Sequence, residues 1–149
     1  MDNKQEYNKE KNLVREVATK YEVNEENQFS LVNKAQLGLP ASAFFDLQEI
    51  TEFSNQELSG LLNVSFKTIQ RYEKEGKHLS AQNSEQLLKI IALYQKAEQV
   101  FGSLESFNRW LQKPAPGLGG QKPFSLMQTS GGIDLVREEV IRIEFGTLA

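Results

Sequence analysis

The side chains able to do chemistry are few, and their spacing favours recognition over catalysis. The one histidine, His78, falls in a charged linker at a helix exit, where a lone imidazole reads as a surface residue. There are no cysteines, so thiolate nucleophiles, thiolate metal sites and disulfides are excluded. Carboxylates are plentiful but scattered over helix faces. No pair is singled out for acid–base work, and no His–carboxylate spacing such as H-E-x-x-H exists. The run Gly117-Leu118-Gly119-Gly120-Gln121-Lys122 invites comparison with a phosphate loop. It lacks the G-x-x-x-x-G-K-[ST] spacing, Pro123 follows the lysine, and no strand precedes it. Its glycines read instead as permitting unusual backbone angles or close backbone approach. The expectation is a protein that catalyses nothing and holds neither metal nor cofactor.

Recognition chemistry is concentrated between Ser54 and Gly76. A capped helix of eight to ten residues meets a tight break at Asn63-Val64, then a second helix starts at Ser65, which is helix–turn–helix grammar. Leu58, Leu61 and Leu62 can pack against Ile69 and Tyr72, leaving Lys67, Thr68, Gln70, Arg71 and Lys74 on the other faces of the second helix. Arg and Lys suit phosphate or guanine, Gln suits adenine, and Thr suits either. Ser65 and the backbone N–H groups around it can hold a phosphate. The chain carries a net charge of −3, yet Ser65–His78 has four cations (Lys67, Arg71, Lys74, Lys77) against two anions (Glu73, Glu75), a local +2. That field is modest, so tight DNA binding calls for two copies, one per half-site. A plain helical hairpin with a solvated polar face remains open on this grammar.

The elements that must position these residues all read as helices. The 149 residues suit one compact domain or two small helical subdomains, and 39% hydrophobic residues can build a core. Before Phe29 two readings are open: a helix through Glu6–Tyr21 with Tyr7, Val14, Val17 and Tyr21 at helical spacing, or an arm that orders only against a partner. Next come a helix from Phe29 to Leu37, ended by Gly38 in a left-handed conformation, and a helix carrying Phe44, Leu47 and Ile50 with Pro40 near its first turn. Ser54 and Glu57 have capping-box spacing. Ser80 or Ser84 caps a longer helix through Leu87, Leu88, Ile91, Tyr94 and Ala97 to about Phe101. Gly102-Ser103 resets the chain, and a short helix to Leu111 turns Phe107, Trp110 and Leu111 inward. After a Pro- and Gly-rich loop over Lys113–Pro123, a short helix carries Phe124, Leu126 and Met127. Gly131-Gly132 is expected to break the chain before a last helix with Ile133, Val136, Val140 and Ile143, ending at Gly146. No apolar run reaches the roughly 20 residues of a membrane span. The polar stretch Met1–Lys11 lacks the apolar core of a signal peptide, so a cytoplasmic protein is expected.

From Ala97 onward the sequence closely resembles the toxin-binding domain of Xre/MbcA/ParS-type antitoxins. Phe101-Gly102, Trp110-Leu111, Pro114 and Pro116, Leu118-Gly119-Gly120 with Pro123, Leu126-Met127, Gly131-Gly132, Val136 and the ending Ile143–Gly146 follow in order. The stretches Gly38–Pro40 and Lys67–Ile90 resemble the Xre-like helix–turn–helix half. Two departures stand out. Thr51-Glu52-Phe53 replaces a frequent Gly-containing turn, and Tyr72 stands where a second basic residue is frequent, removing one phosphate contact.

With an N-terminal arm over 1–28 that matches nothing in the family, the all-α chain reads in three parts, and the resemblance implies an Xre-like helix–turn–helix domain over 29–100 and a toxin-binding domain over 101–149. It implies a homodimeric antitoxin of a type II toxin–antitoxin system that occludes the active site of a RES-domain, NAD-degrading toxin and represses its own operon by binding operator DNA. The DNA-contacting set is then Ser65, Lys67, Thr68, Gln70, Arg71 and Lys74. The toxin-contacting set is Leu118, Gly119, Gly120, Lys122, Pro123, Arg142, Glu144, Phe145 and Gly146. Core positions are the simpler assignment for Trp110, Leu118, Phe124 and Met127. The other reading is a stand-alone helix–turn–helix regulator without a toxin partner.

Overall fold

A computed structural model describes residues 3–24 and 27–146, except the side chains of Asn3 and Tyr7. Nine α-helices follow one another among these residues: α1 (Asn3–Lys20), α2 (Gln28–Leu37), α3 (Ala43–Thr51), α4 (Asn55–Leu62), α5 (Phe66–Glu75), α6 (Ala81–Phe101), α7 (Leu104–Leu111), α8 (Pro123–Leu126) and α9 (Ser130–Gly146). A 3-10 turn, Pro116–Leu118, lies in the loop between α7 and α8. No strand forms among the described residues beyond two isolated bridges, Pro40 with His78 and Ala115 with Gln121. The chain is all-α, as the sequence predicts.

The fold is organised around α6. Its Leu87, Leu88, Ile90, Ile91, Leu93, Tyr94 and Ala97 are all buried and cover most of its circumference, leaving one strip with half-buried Glu85, Lys89 and Lys96 and exposed Gln99. α1, α2, α3, α7 and α9 all pack on it. A helix buried over so wide an arc sits at the centre of its neighbours. The N-terminal segment is one of those neighbours: Val14, Val17 and Ala18 of α1 and Tyr21 just after it are buried, and α1 packs on α6 and α3. The stripe expected from Val14, Val17 and Tyr21 is therefore a docking face, and the Tyr21 hydroxyl donates to the Asp46 carboxylate of α3. Tyr7, the fourth member of that stripe, has its side chain outside the described residues.

The local stop signals operate with two corrections. Gly38 leaves α2 at φ 82°, ψ 134°, on the positive-φ side expected of it but with ψ outside the left-handed helical well. The reason is the strand-like crossing that follows: Leu79 N–H donates to the Leu39 carbonyl at 2.8 Å, and a methyl on Gly38 would crowd the Leu79 carbonyl. The second correction concerns Gly131-Gly132. Both lie inside the first turn of α9, and the chain turns earlier, at Met127–Thr129. Thr129 caps α9, its hydroxyl accepting from Gly132 N–H at 3.0 Å and its carbonyl from Ile133 N–H at 3.0 Å. Gly132 is needed for close approach, because the Leu126 carbonyl occupies the space a Cβ would take. Of the two serines open for capping α6, Ser80 does so, while Ser84 is buried and accepts from Leu39 N–H at 2.8 Å. No described helix is long and apolar enough to cross a membrane.

Candidate functional site

The surface of α5 is built by three devices. First, α4 is started by a complete capping box: Glu57 N–H donates to the Ser54 hydroxyl, and Ser54 N–H donates to the Glu57 carboxylate, both at 3.0 Å. Second, Asn63 turns the chain with φ 53°, and Ser65 caps α5, its hydroxyl accepting from Thr68 N–H at 3.1 Å. Third, Ile69 is fully buried, and Phe66 packs with Phe44 and Phe45 of α3, ring centroids 5.8 and 6.2 Å away. With that face held, Lys67, Gln70, Arg71 and Lys74 fall at i, i+3, i+4 and i+7, one continuous stripe, and all four are exposed. Thr68 is half-buried, and its hydroxyl lies 2.9 Å from the Ser65 hydroxyl. Ser65 is thus occupied in capping.

Tyr72 is half-buried, with the Arg71 guanidinium 5.6 Å and the Lys77 ammonium 5.5 Å from its ring centre. A ring face attracts cations. Instead of supplying a charge of its own, Tyr72 steadies two. Lys77 also pairs with Glu75 at 2.9 Å, which holds that carboxyl below the usual glutamate range. His78 contributes through its Nδ1, 2.9 Å from the Gly38 carbonyl, tying the α5–α6 turn to the α2–α3 turn. The described residues hold no cluster of metal-ligating side chains around it or elsewhere.

Sequence reasoning missed the amide pair that fixes α4 and α5 to α6. Asn83 donates to the Leu62 carbonyl at 2.8 Å, and Gln86 donates to the Leu61 carbonyl at 2.9 Å. These carbonyls end α4 and have no partner within it. Gln86 also donates to the Gln128 carbonyl at 2.8 Å, just ahead of α9. The only signal available in the sequence is that two amides interrupt an otherwise apolar helix face.

The second surface combines the 3-10 turn with the end of α9. The loop closes on itself: Ala115 N–H donates to the Gln121 carbonyl at 2.9 Å and Gly120 N–H to the Ala115 carbonyl at 3.0 Å. Gly119 and Gly120 take φ 67° and 77°, values that glycine adopts without strain. Leu118 and Pro123 are buried and anchor the loop, while Gly119, Gly120 and Lys122 are exposed. Gly117 lies directly on the Glu139 side chain, which pairs with Arg142 at 2.7 Å. Arg142, Phe145 and Gly146 are exposed around the end of α9, Phe145 at 75%. Glu144 is turned toward α6, where it pairs with Lys96 at 2.7 Å. The candidate set therefore divides. Leu118 and Pro123 are framework, Glu144 is tied to α6, and the others form the accessible surface. Residues 147–149 of the tail lie outside the described residues.

Trp110 stacks on Phe107 (5.9 Å, 22° between planes) and meets Phe101 at 5.4 Å. Met127 is fully buried, and Phe124 packs edge-on to Phe53 at 5.2 Å.

Comparison with known proteins identifies both halves. Residues 96–146 match the antitoxin Xre/MbcA/ParS C-terminal toxin-binding domain, and residues 30–92 match the antitoxin Xre-like helix–turn–helix domain. The chain belongs to the Xre/MbcA/ParS antitoxin family. A curated relative, the Prs ADP-ribosylating antitoxin of Sphingobium sp. (strain YBL2), is 28% identical over 97 residues. That match covers 59% of this chain and 61% of the relative's length. A chain in the crystal structure of the M. tuberculosis MbcT–MbcA toxin–antitoxin complex superposes with a TM-score of 0.57, covering 73% of this chain and 96% of that one. At 17% identity, that likeness concerns the fold. Membership of an antitoxin family agrees with a chain that is not an enzyme.

Proposed function

We propose that this Xre/MbcA/ParS protein is the antitoxin of a type II toxin–antitoxin pair. Its C-terminal surface covers the active site of a RES-domain, NAD-degrading toxin, and a homodimer represses its own operon in the cytoplasm. The observation that carries this reading is the occurrence, in one chain and in this order, of a helix–turn–helix domain over 30–92 and a toxin-binding domain over 96–146. The name of the Sphingobium relative, an ADP-ribosylating antitoxin, supports a toxin that uses NAD.

Occlusion asks for a shaped surface that stays bound and requires no chemistry from the antitoxin. The exposed ring of Phe145 supplies an apolar anchor, and Arg142, 58% exposed beside Glu139, supplies a cation able to meet a carboxylate. Gly119, Gly120 and Lys122 extend the contact. On the operator side, the stripe Lys67, Gln70, Arg71 and Lys74 has the composition of a helix that enters the major groove.

Co-expression with the cognate toxin tests the first part. The intact chain should restore growth and cellular NAD, and the double variant Phe145→Asp/Arg142→Ala should lose both. Restoration by the double variant would remove the end of α9 from the interface. Failure of the intact chain to bind any neighbouring gene product would overturn the antitoxin reading. For DNA, Lys67→Ala/Arg71→Ala/Lys74→Ala should weaken operator binding and flatten its salt dependence by roughly 0.9 per lost phosphate contact. An unchanged slope would place the DNA contact elsewhere.

A further inference from the structure

We infer that the outward face of α2 is the surface on which a second copy of this chain packs. The inference deepens the homodimer reading above and rests on it. Phe29 is 87% exposed, Leu37 81% and Val32 45%. Exposed Asn33 and Gln36 lie between them on the same side of the helix. The opposite side, Leu31 and Ala35, packs on α6. The helix is thus apolar on two sides, with only one of them covered.

Charge identifies the occupant. The chain has 37 charged side chains (17 basic and 20 acidic), yet the outward face of α2 shows none. The only charged residue of the helix, Lys34, is half-buried and folded back onto Glu22, donating to its carbonyl. Beside Val32 runs a groove between α2, α6 and α9, floored by Leu31, Ala92 and Ile133. Its rim bears Glu85 and Asp134 against Lys89 and Arg137, a balanced set, with Lys89 paired to Asp134 at 2.7 Å and to Glu85 at 3.3 Å. A surface with an uncharged centre and a neutral rim meets its own two-fold image without juxtaposing like charges. Nucleic acid or a strongly charged peptide would find nothing there to select it.

The area suffices. Phe29, Leu37 and Val32 together leave on the order of 400 Å² of apolar surface open, at the level where a patch on a monomer is usually an interface. Gln28, Asn33, Gln36 and the adjoining groove extend that patch toward the roughly 800 Å² per partner of a standard interface, of which it forms the apolar centre.

Sedimentation equilibrium of the full chain tests the assignment. The wild type should be a dimer at micromolar concentration. Phe29→Glu/Leu37→Glu should weaken association on the order of 100-fold or more while leaving the helical circular dichroism of the protomer unchanged, since both side chains are exposed in the protomer, and the melting temperature should fall toward that of the free protomer as the stabilisation by association is lost. The chain has no cysteine, so Asn33→Cys provides a second reading. It should cross-link to a covalent dimer on mild oxidation, while Gln99→Cys, exposed on α6, should not. A wild-type dimer that survives both glutamates and gives no Asn33→Cys cross-link would overturn the α2 face and leave the homodimer reading intact. A monomeric wild type would overturn both. A Phe29→Glu/Leu37→Glu variant that keeps its dimer but no longer binds toxin would assign the face to the toxin and likewise overturn the inference.

Discussion

Two adjacent glycines should respond to the same substitution with opposite signs. Gly131 and Gly132 both lie in the first turn of α9. A Cβ on Gly131 would meet nothing within 4 Å, and its backbone is not in the positive-φ region. Gly131→Ala then gains helix propensity and restricts the unfolded chain, stabilising by about 0.5–1 kcal/mol. At Gly132 the same propensity gain is opposed by overlap with the Leu126 carbonyl. That carbonyl is backbone at the end of α8, so it cannot swing aside as a flexible side chain would. It moves only if the α8–α9 turn moves, along with the Thr129 cap that holds Gly132 N–H. Overpacking of this kind costs about 1–3 kcal/mol, and a displaced cap about 1 kcal/mol more, so Gly132→Ala should be net destabilising by about 1–3 kcal/mol. For a chain of this size, 1 kcal/mol shifts the melting temperature by roughly 2–4 °C. Urea denaturation followed by helical circular dichroism reads both variants against the wild type. If Gly132→Ala is as stable as the wild type or more so, α9 does not begin at Ser130, and the glycines are the chain break that their sequence suggests.

Other substitutions test the remaining joints. Glu52 closes α3 at φ 61°, a conformation that costs a residue with a side chain about 1–2 kcal/mol, so Glu52→Gly should stabilise by about 0.5–1 kcal/mol after its own entropy loss; a lower melting temperature would contradict this. Gln86→Met keeps the length but strips donors from the Leu61 and Gln128 carbonyls and should cost about 1–3 kcal/mol, read by the same urea titration, with no loss expected if water replaces both bonds. Burial pushes the Glu98 carboxyl above the ordinary glutamate range, aided by Glu10 and opposed by Lys11 and Arg15. A carboxyl raised on folding favours the folded state below its ordinary pKa and loses that contribution as pH rises through its folded value, so Glu98→Gln should be more stable than the wild type at pH 7 and the gap should close on acidification; a gap independent of pH would remove Glu98 from the balance.

The sequence makes local features legible and leaves long-range ones dark. Ser54 with Glu57, Ser65, Gly76 and Ser103 act within four residues of themselves, and each starts or ends a helix where its chemistry requires. The recognition stripe is legible for the same reason, since 3.6-residue periodicity alone sets which side chains share a face. Gly131-Gly132 misleads because a flexible pair and a sterically required pair are the same letters; only the Leu126 carbonyl, brought up by the preceding turn, separates them. The N-terminal helix was ambiguous because its thin stripe becomes a docking face only against α6 and α3. Asn83 and Gln86 carried no local signal, since their partners lie 21 to 42 residues away. Within the toxin-contacting set, periodicity and spacing did not separate buried Leu118 and Pro123 from exposed Lys122.

The join between the two halves bears on how such a protein can be regulated. The helix–turn–helix match ends at residue 92 and the toxin-binding match begins at 96, both inside α6 (Ala81–Phe101). No linker intervenes, and the helix is buried on both sides of the boundary, with Ile91, Leu93, Tyr94 and Ala97 inaccessible. Tyr94 donates to Asn108 of α7, which in turn donates to the Thr51 carbonyl of α3, and Gln86 spans from α4 to the approach to α9. Hinge motion needs a few residues that can absorb a change of φ and ψ. An uninterrupted helix bonded to both halves has none at this boundary. Events at the end of α9 therefore reach α5 poorly through relative movement within one protomer. Under the proposed function, a partner would act on α5 through the number and spacing of the copies it holds together, because two half-sites engaged at once raise affinity by effective concentration without any change in α5 itself.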